Sequence, residues 1–215
     1  MVKKGIEVSN RLKGLATSRD WLVEVVEAMA AAGSECTEND PSGARGWRRW
    51  QMGTRRNREV HLATGLWRRE EVDKVPVIVN DDLRIRMVVC NTDDGTCIGD
   101  REPKNRSKRG PATDRAVNNN QTTFWEYGTL EDKVVPFRKT EVDAADYQTW
   151  YLCCYHEGDD LRAELALVVQ TAAGYFEKAR ERIFLLGGEF EPPETGKKKK
   201  PDLDSDFEIP VSRKK

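Results

Sequence analysis

The sequence has few of the residues and motifs that catalysis commonly uses. Its only two histidines, His61 and His156, have no serine or cysteine arrangement typical of nucleophilic catalysis. The glycine-rich fingerprints of a P-loop and of a dinucleotide-binding turn are both missing. We therefore favour a binding protein over an enzyme, and we expect no cofactor.

Cysteine usage argues against a disulfide framework. The chain has five cysteines, an odd number, and two of them are adjacent, which predicts reduced thiols. No C-x-x-C pair is present, so a zinc site built from Cys90, Cys97, Cys154 and His156 is not favoured over ordinary buried cysteines. We expect no bound metal.

Long hydrophobic runs are also absent. No apolar stretch approaches the roughly 18 residues that span a bilayer, and the first residues lack the apolar core of a secretory signal. Mean hydropathy is −0.73, and 38% of residues are hydrophobic. These features predict a cytoplasmic protein with no membrane partner.

The charge is nearly balanced overall but unevenly distributed. The formal net charge is −1, yet residues 126–193 contain fourteen acids and seven bases. The front of the chain is therefore basic and the back acidic. A basic face of this kind can engage a polyanion, although the two halves could instead simply neutralise each other.

Residues 45–69 are the most informative segment, with eight arginines and three tryptophans against one acid, Glu59. Arginines neutralise phosphates and tryptophan faces stack on bases, so the composition predicts a nucleic-acid-binding surface. The alternative is that the tryptophans lie in the core and the arginines form a solvated rim. The predicted binding residues here are Arg45, Trp47, Arg48, Arg49, Trp50, Arg55, Arg56, Arg58, Trp67, Arg68 and Arg69.

A second basic cluster lies in the polar stretch 99–123, which reads as a long loop with room for a short helix after Pro111. If this loop shares a face with the first cluster, the nucleic-acid hypothesis gains support. Its predicted binding residues are Lys104, Arg106, Lys108 and Arg109.

The remaining pattern predicts an α+β fold. Leu22, Val25, Val26 and Met29 mark an N-terminal helix over 19–32, with Thr17 at capping-box spacing from Asp20 and Gly33 as the stop. Strand patterns at 75–79 and 83–89, and at 150–156 and 161–169, predict two antiparallel hairpins. In the 83–89 strand we expect Arg84 and Arg86 to face solvent. The stripe Phe176, Ala179, Ile183 and Leu186 predicts a helix near the C-terminus, over 174–186.

The end of the chain, 191–215, reads as a flexible charged tail after a single domain spanning 1–190. Residues 202–210 resemble the acidic partner-docking tip of bacterial single-stranded-DNA-binding proteins. That resemblance implies a protein partner for the tail, or competition between the tail and nucleic acid. Unlike those tips, this chain continues beyond the acidic segment.

We therefore expect a single α+β domain with a mostly antiparallel sheet. The expected function is that of an accessory protein that binds nucleic acid non-enzymatically with little base specificity, single-stranded DNA being favoured over duplex DNA or RNA. One alternative is an interaction subunit that docks an acidic protein through its basic face. The other is a metal-dependent nuclease using Asp81, Asp82, Asp93 and Asp94, although these are also ordinary turn residues.

Overall fold

The computed structural model describes residues 2–3, 6–127 and 147–190, which form an α+β fold around one mostly antiparallel sheet. The described helices are α1 (Ile6–Gly14), α2 (Arg19–Ser34), α3 (Ala44–Leu62) and α4 (Pro111–Tyr127). The described strands are β1 (Val2–Lys3), β2 (Arg68–Val72), β3 (Val75–Asn80), β4 (Ile85–Asn91), β5 (Gln148–Glu157), β6 (Asp160–Ala172) and β7 (Tyr175–Leu186).

The sheet has the strand order β1-β7-β6-β5-β4-β3-β2. The β1–β7 and β4–β5 pairs are parallel, and all the others are antiparallel. Both predicted hairpins are confirmed, as β3–β4 and β5–β6. Because β4 and β5 are parallel, the C-terminal ends of these two central strands lie side by side at one end of the sheet, where the candidate site lies.

The predicted N-terminal helix is confirmed as α2, but its cap is Ser18 rather than Thr17. The Ser18 side chain accepts a hydrogen bond from the Trp21 backbone N–H. Thr17 does not cap the helix, because its hydroxyl is hydrogen-bonded to the His61 ring at 2.8 Å. The helix also continues through Gly33 to Ser34, so Gly33 is not its stop.

Most of residues 45–69, the Arg/Trp segment, forms helix α3, and Arg68 and Arg69 at its end lie on strand β2. Gly53, which is unfavourable inside a helix, is needed there because a Cβ at that position would lie 2.6 Å from the Met29 side chain and 3.0 Å from Val89. The glycine thus lets α3 pack closely against both α2 and β4.

The sheet is covered on both faces, which the sequence interpretation missed. Helices α1 to α3 pack on one face with Ile85, Met87 and Val89 of β4, whereas Val88 and Cys90 lie on the other face with Val117 of α4. The helix anticipated after Pro111 is present as α4, but it runs to Tyr127 and is therefore longer than the short helix predicted within a loop over 99–123.

The prediction that Arg86 faces solvent is wrong because α4 covers the face of the sheet on which Arg86 lies. Arg86 is only 6% exposed, lies beside Ala112 and Thr113 of α4, and packs over the Tyr147 ring. Arg84, by contrast, is exposed, in the turn that precedes β4.

The predicted helix over 174–186 is also wrong, because this segment is strand β7. The β6–β7 ladder contains several register shifts. As a result, Phe176 and Ala179 pack on the α4 face although they are three residues apart, and Ile183 and Leu185 pack on the opposite face. β-Bulges of this kind break the two-residue alternation of a strand, and here they produce spacings that imitate a helical stripe.

Within the described residues, no helix is both long enough and apolar enough to cross a membrane. The tail 191–215, including residues 202–210, lies outside the described residues. Its role and the 1–190 domain boundary therefore stay predictions.

Candidate functional site

A cavity of about 610 Å³ opens at the C-terminal ends of β4 and β5. The N-terminal half of α3 forms one wall and the basic loop 105–109 forms another, so the structure brings parts of both predicted basic clusters to one place. The lining residues are Val26, Met29, Ala30, Gly43, Arg45, Gly46, Trp47, Arg49, Trp50, Asn91, Thr92, Arg106, Ser107, Lys108, Arg109, Cys154, His156 and Leu161.

The cavity lining includes five basic residues and no acidic one. Four of them can present their charge to the cavity, whereas the Arg109 side chain interacts with the buried Cys90 on the α4 face of the sheet. Arg45 and Arg49 donate to backbone carbonyls, those of Cys36 at 3.2 Å and His156 at 3.0 Å. Neither of them, nor Lys108, forms an ion pair with a described carboxylate. Burial lowers the pKa of Arg49, and the positive charges of Arg45 and Arg106 lower it further. The cavity is thus a region of mutually repelling positive charge.

Unlike Arg45, Arg49 and Lys108, Arg106 does have an acidic side chain near its guanidinium. Its guanidinium packs over the Tyr155 ring, 5.6 Å from the centroid, and reaches an exposed carboxylate, Glu157, at 3.5 Å. An exposed ion pair at that distance contributes little, so Arg106 can exchange this contact for an anion in the cavity.

The basic loop is held in place by one buried polar residue, Asn105, which is 2% exposed. Its side-chain amide donates to the carbonyls of Ser107 at 2.7 Å and Gly174 at 2.9 Å, and its amide oxygen accepts from the Phe176 N–H at 2.8 Å. The Arg109 backbone N–H also donates to Gly174, at 2.9 Å. These bonds fix the loop against the β6–β7 turn. Asn105 was not recognised from sequence, where it is one polar residue among many.

The cavity wall formed by α3 is joined to the sheet by Asn91 at the end of β4. Its side-chain amide donates to the Gly46 carbonyl in the first turn of α3 at 2.8 Å, and its own carbonyl accepts from the Arg106 backbone N–H at 3.0 Å. Asn91 therefore connects both basic walls. It fixes the width of the cavity between them.

The three tryptophans of the Arg/Trp segment have different environments. Trp47 is 57% exposed at the cavity, and Trp50 is half-buried in its wall. Trp67 is only 5% exposed; it packs edge-on to His61 and donates from its indole N–H to the Ala16 carbonyl. Trp67 has no face available for stacking, and it does not belong to the candidate surface.

His156 also lines the cavity. Its Nε2 lies 3.0 Å from the Gly158 carbonyl, which requires the proton on Nε2. Burial lowers the pKa of His156, and the nearby Arg49 lowers it further, so the ring is neutral at pH 7. Its Nδ1 is a buried acceptor without a hydrogen-bond partner among the described residues.

The other predicted binding residues lie away from the cavity lining, and most of them contact acids. Arg55 and Arg56 pair with Glu59, Arg56 also with Glu24, and Arg48 lies 3.6 Å from Glu35. Farther away, Arg68 pairs with Glu70 and Asp81 at 2.6 and 2.7 Å, and Lys104 with Glu177 at 3.5 Å. Arg58 donates to the Glu70 carbonyl, and Arg69 is exposed on the edge strand β2.

Three of the four carboxylates considered for a nuclease centre are engaged in other contacts, and the fourth, Asp82, is exposed. Asp81 accepts from Arg68 and from the Tyr147 hydroxyl at 2.6 Å, and the hydrogen bonds of Arg68 hold its pKa below the usual range. Asp93 accepts from two backbone N–H groups, and Asp94 pairs with Arg101. Among the described residues, no three potential ligand side chains come close enough to hold a metal ion.

Comparison with known proteins returned no match to a family model, a curated protein or a solved structure.

Proposed function

We propose that this protein binds nucleic acid without catalysing a reaction and with little base specificity, through the cavity between α3 and the 105–109 loop. The observation that carries the proposal is the convergence of four cations, two tryptophans and no acid on one concave surface. Its binding residues are Arg45, Trp47, Arg49, Trp50, Arg106 and Lys108, whereas the Arg109 side chain is engaged with the buried Cys90.

The contrast between paired and unpaired arginines supports this choice of surface. Elsewhere most of the predicted binding arginines contact an acid within 4 Å, as Arg55, Arg56 and Arg68 do. At the cavity Arg45 and Arg49 have no described carboxylate, and Arg49 is held among like charges. Concentrating like charge destabilises the folded chain. A bound polyanion would relieve that repulsion.

The exposed tryptophan favours single strands over duplexes. In a duplex the base faces are stacked on one another, whereas an unpaired base can stack on an aromatic ring. Trp47 is more than half exposed. Because stacking is tolerant of base identity, we expect little sequence preference.

The proposal is tested by fluorescence anisotropy with single-stranded DNA, duplex DNA and RNA across a salt series. Two triple variants remove the same amount of positive charge. The cavity variant is Arg45→Gln/Arg106→Gln/Lys108→Gln. The control variant is Arg55→Gln/Arg68→Gln/Arg101→Gln, which removes exposed arginines that pair with acids.

For a single strand, each phosphate contact contributes about 0.7 to the slope of log affinity against log salt, so the cavity variant should lower that slope by about 2. The control should keep most of the affinity and slope. Equal losses in both variants would show binding to net charge rather than to the cavity. No binding of any oligonucleotide by the wild type at about 50 mM salt would refute the proposal and direct the search to acidic protein partners.

A further inference from the structure

The shape of the cavity limits what it can hold. A volume of about 610 Å³ corresponds to a sphere only about 10 Å across. It falls within the range of about 300–1,000 Å³ that holds one small ligand. Surfaces that bind single strands without sequence preference instead follow the backbone over about 4–16 nucleotides. A cavity of this size holds about one nucleotide, and the rest of a bound strand would lie outside it.

The chemistry of the lining suits the separate parts of one nucleotide. Trp47 offers an exposed ring for a base, and the half-buried Leu161 contributes apolar surface to the same lining. The cations Arg45 and Lys108 have no described carboxylate partner and are available to a phosphate. The neutral His156 ring also belongs to the lining.

We infer that the cavity binds a single nucleoside phosphate unit, either a free nucleotide or the terminal nucleotide of a strand. This inference rests on the proposed function for its ligand class, and it adds that one unit enters the cavity. A phosphate at the end of a strand carries more charge than one within it, which favours an end among the four cations.

The test is calorimetric titration of the full-length protein with a nucleoside monophosphate, with inorganic phosphate, and with two oligonucleotides of equal sequence, one linear with a 5′-phosphate and one circular. The variants are Trp47→Leu, which removes the aromatic face, Trp47→Phe, which keeps one, and Arg55→Gln as a control on the same helix. Circular dichroism establishes that each variant is folded.

The inference predicts that each chain binds one nucleoside monophosphate. Trp47→Leu should bind it about tenfold to hundredfold more weakly, whereas Trp47→Phe and Arg55→Gln should bind it with near-normal affinity. Inorganic phosphate should bind more weakly than the nucleotide. Linear strands that bind at least tenfold more tightly than circles would identify the strand end as the source of the unit.

The possible failures are distinguishable. If both oligonucleotides bind equally and the mononucleotide does not bind, the inference is overturned while the proposed function stands. If the mononucleotide binds but neither oligonucleotide does, the inference holds for free nucleotides and the proposed function fails. Phosphate binding as tightly as the nucleotide would overturn the role given to the base, and no binding by any probe would overturn both proposals.

Discussion

The buried His61 makes a quantitative prediction about stability against pH. The ring is fully buried between Trp21 and Trp67, with centroids 5.7 and 5.3 Å away. Its Nδ1 lies 2.9 Å from the Asn57 carbonyl and therefore carries the proton, so Nε2 accepts from the Thr17 hydroxyl at 2.8 Å. Both ring nitrogens are satisfied in the neutral form, and burial lowers the pKa of His61 from 6.5 to about 4.

The sign and size of the effect follow from this pKa. The unfolded chain binds a proton at His61 near pH 6.5 and the folded chain only near pH 4, so acid favours unfolding. The stabilising effect is complete above pH 6.5 and is lost as the pH falls towards 4. At 1.36 kcal/mol per pKa unit the loss is about 2 kcal/mol by pH 5 and about 3 kcal/mol by pH 4.

The assay is urea unfolding of wild type and His61→Gln between pH 4 and pH 8. The variant loses ring packing at every pH, which adds a constant offset, but it has no titrating group at this position. The stability difference between the two proteins should therefore shrink by about 2 kcal/mol between pH 7.5 and pH 5. A difference that stays constant over this range would show that His61 keeps an ordinary pKa in the folded protein and would refute the argument.

Three further predictions concern packing and buried charge, and each is measured by chemical unfolding. Trp67→Ala should lower the free energy of unfolding by about 3–5 kcal/mol, whereas Trp47→Ala should lower it much less because Trp47 is 57% exposed; equal losses would contradict the assigned environments. Arg182→Met should cost about 3–5 kcal/mol because it leaves the fully buried Glu164 carboxylate without its 2.7 and 2.8 Å partner, and adding Glu164→Leu should recover part of the loss. Gly53→Leu should be destabilising despite a gain in helix propensity of about 1 kcal/mol, since the larger side chain has no room; a more stable variant would show that α2 and α3 can separate at low cost.

Much of the fold was predictable where the spacing of apolar residues along a segment matched the regular geometry of the helix or strand that it forms. Helix α2 has one apolar stripe, and the β5–β6 hairpin alternates around a glycine turn, so both were predictable, although the cap of α2 was not. Strand β7 was not, because its bulges place Phe176 and Ala179 on one face at helical spacing. The helix anticipated after Pro111 was predicted too short, and its packing on the second face of the sheet was missed, because a segment rich in asparagine is typical of a loop.

The residue types of the candidate site were predictable from the sequence, but which of the cations and tryptophans belong to the site was not. The sequence identified the Arg/Trp segment and the basic loop as the richest cationic segments. It could not separate Trp47 from Trp67, or cations facing a cavity from cations paired with acids, because those distinctions depend on contacts between distant parts of the chain. Arg49, for example, bonds the His156 carbonyl, 107 residues away.

Photo-crosslinking of a bromouracil-containing single strand, followed by mass spectrometry of the adducts, tests the central claim most directly. Stacking on the exposed ring predicts adducts at Trp47, with Trp50 or the 105–109 loop as secondary positions. Trp47→Leu should lose the principal adduct, whereas Arg55→Gln should retain it. Adducts confined to β2 or to the C-terminal half of α3, or no adduct under conditions where the strand is bound, would contradict the assignment of the cavity.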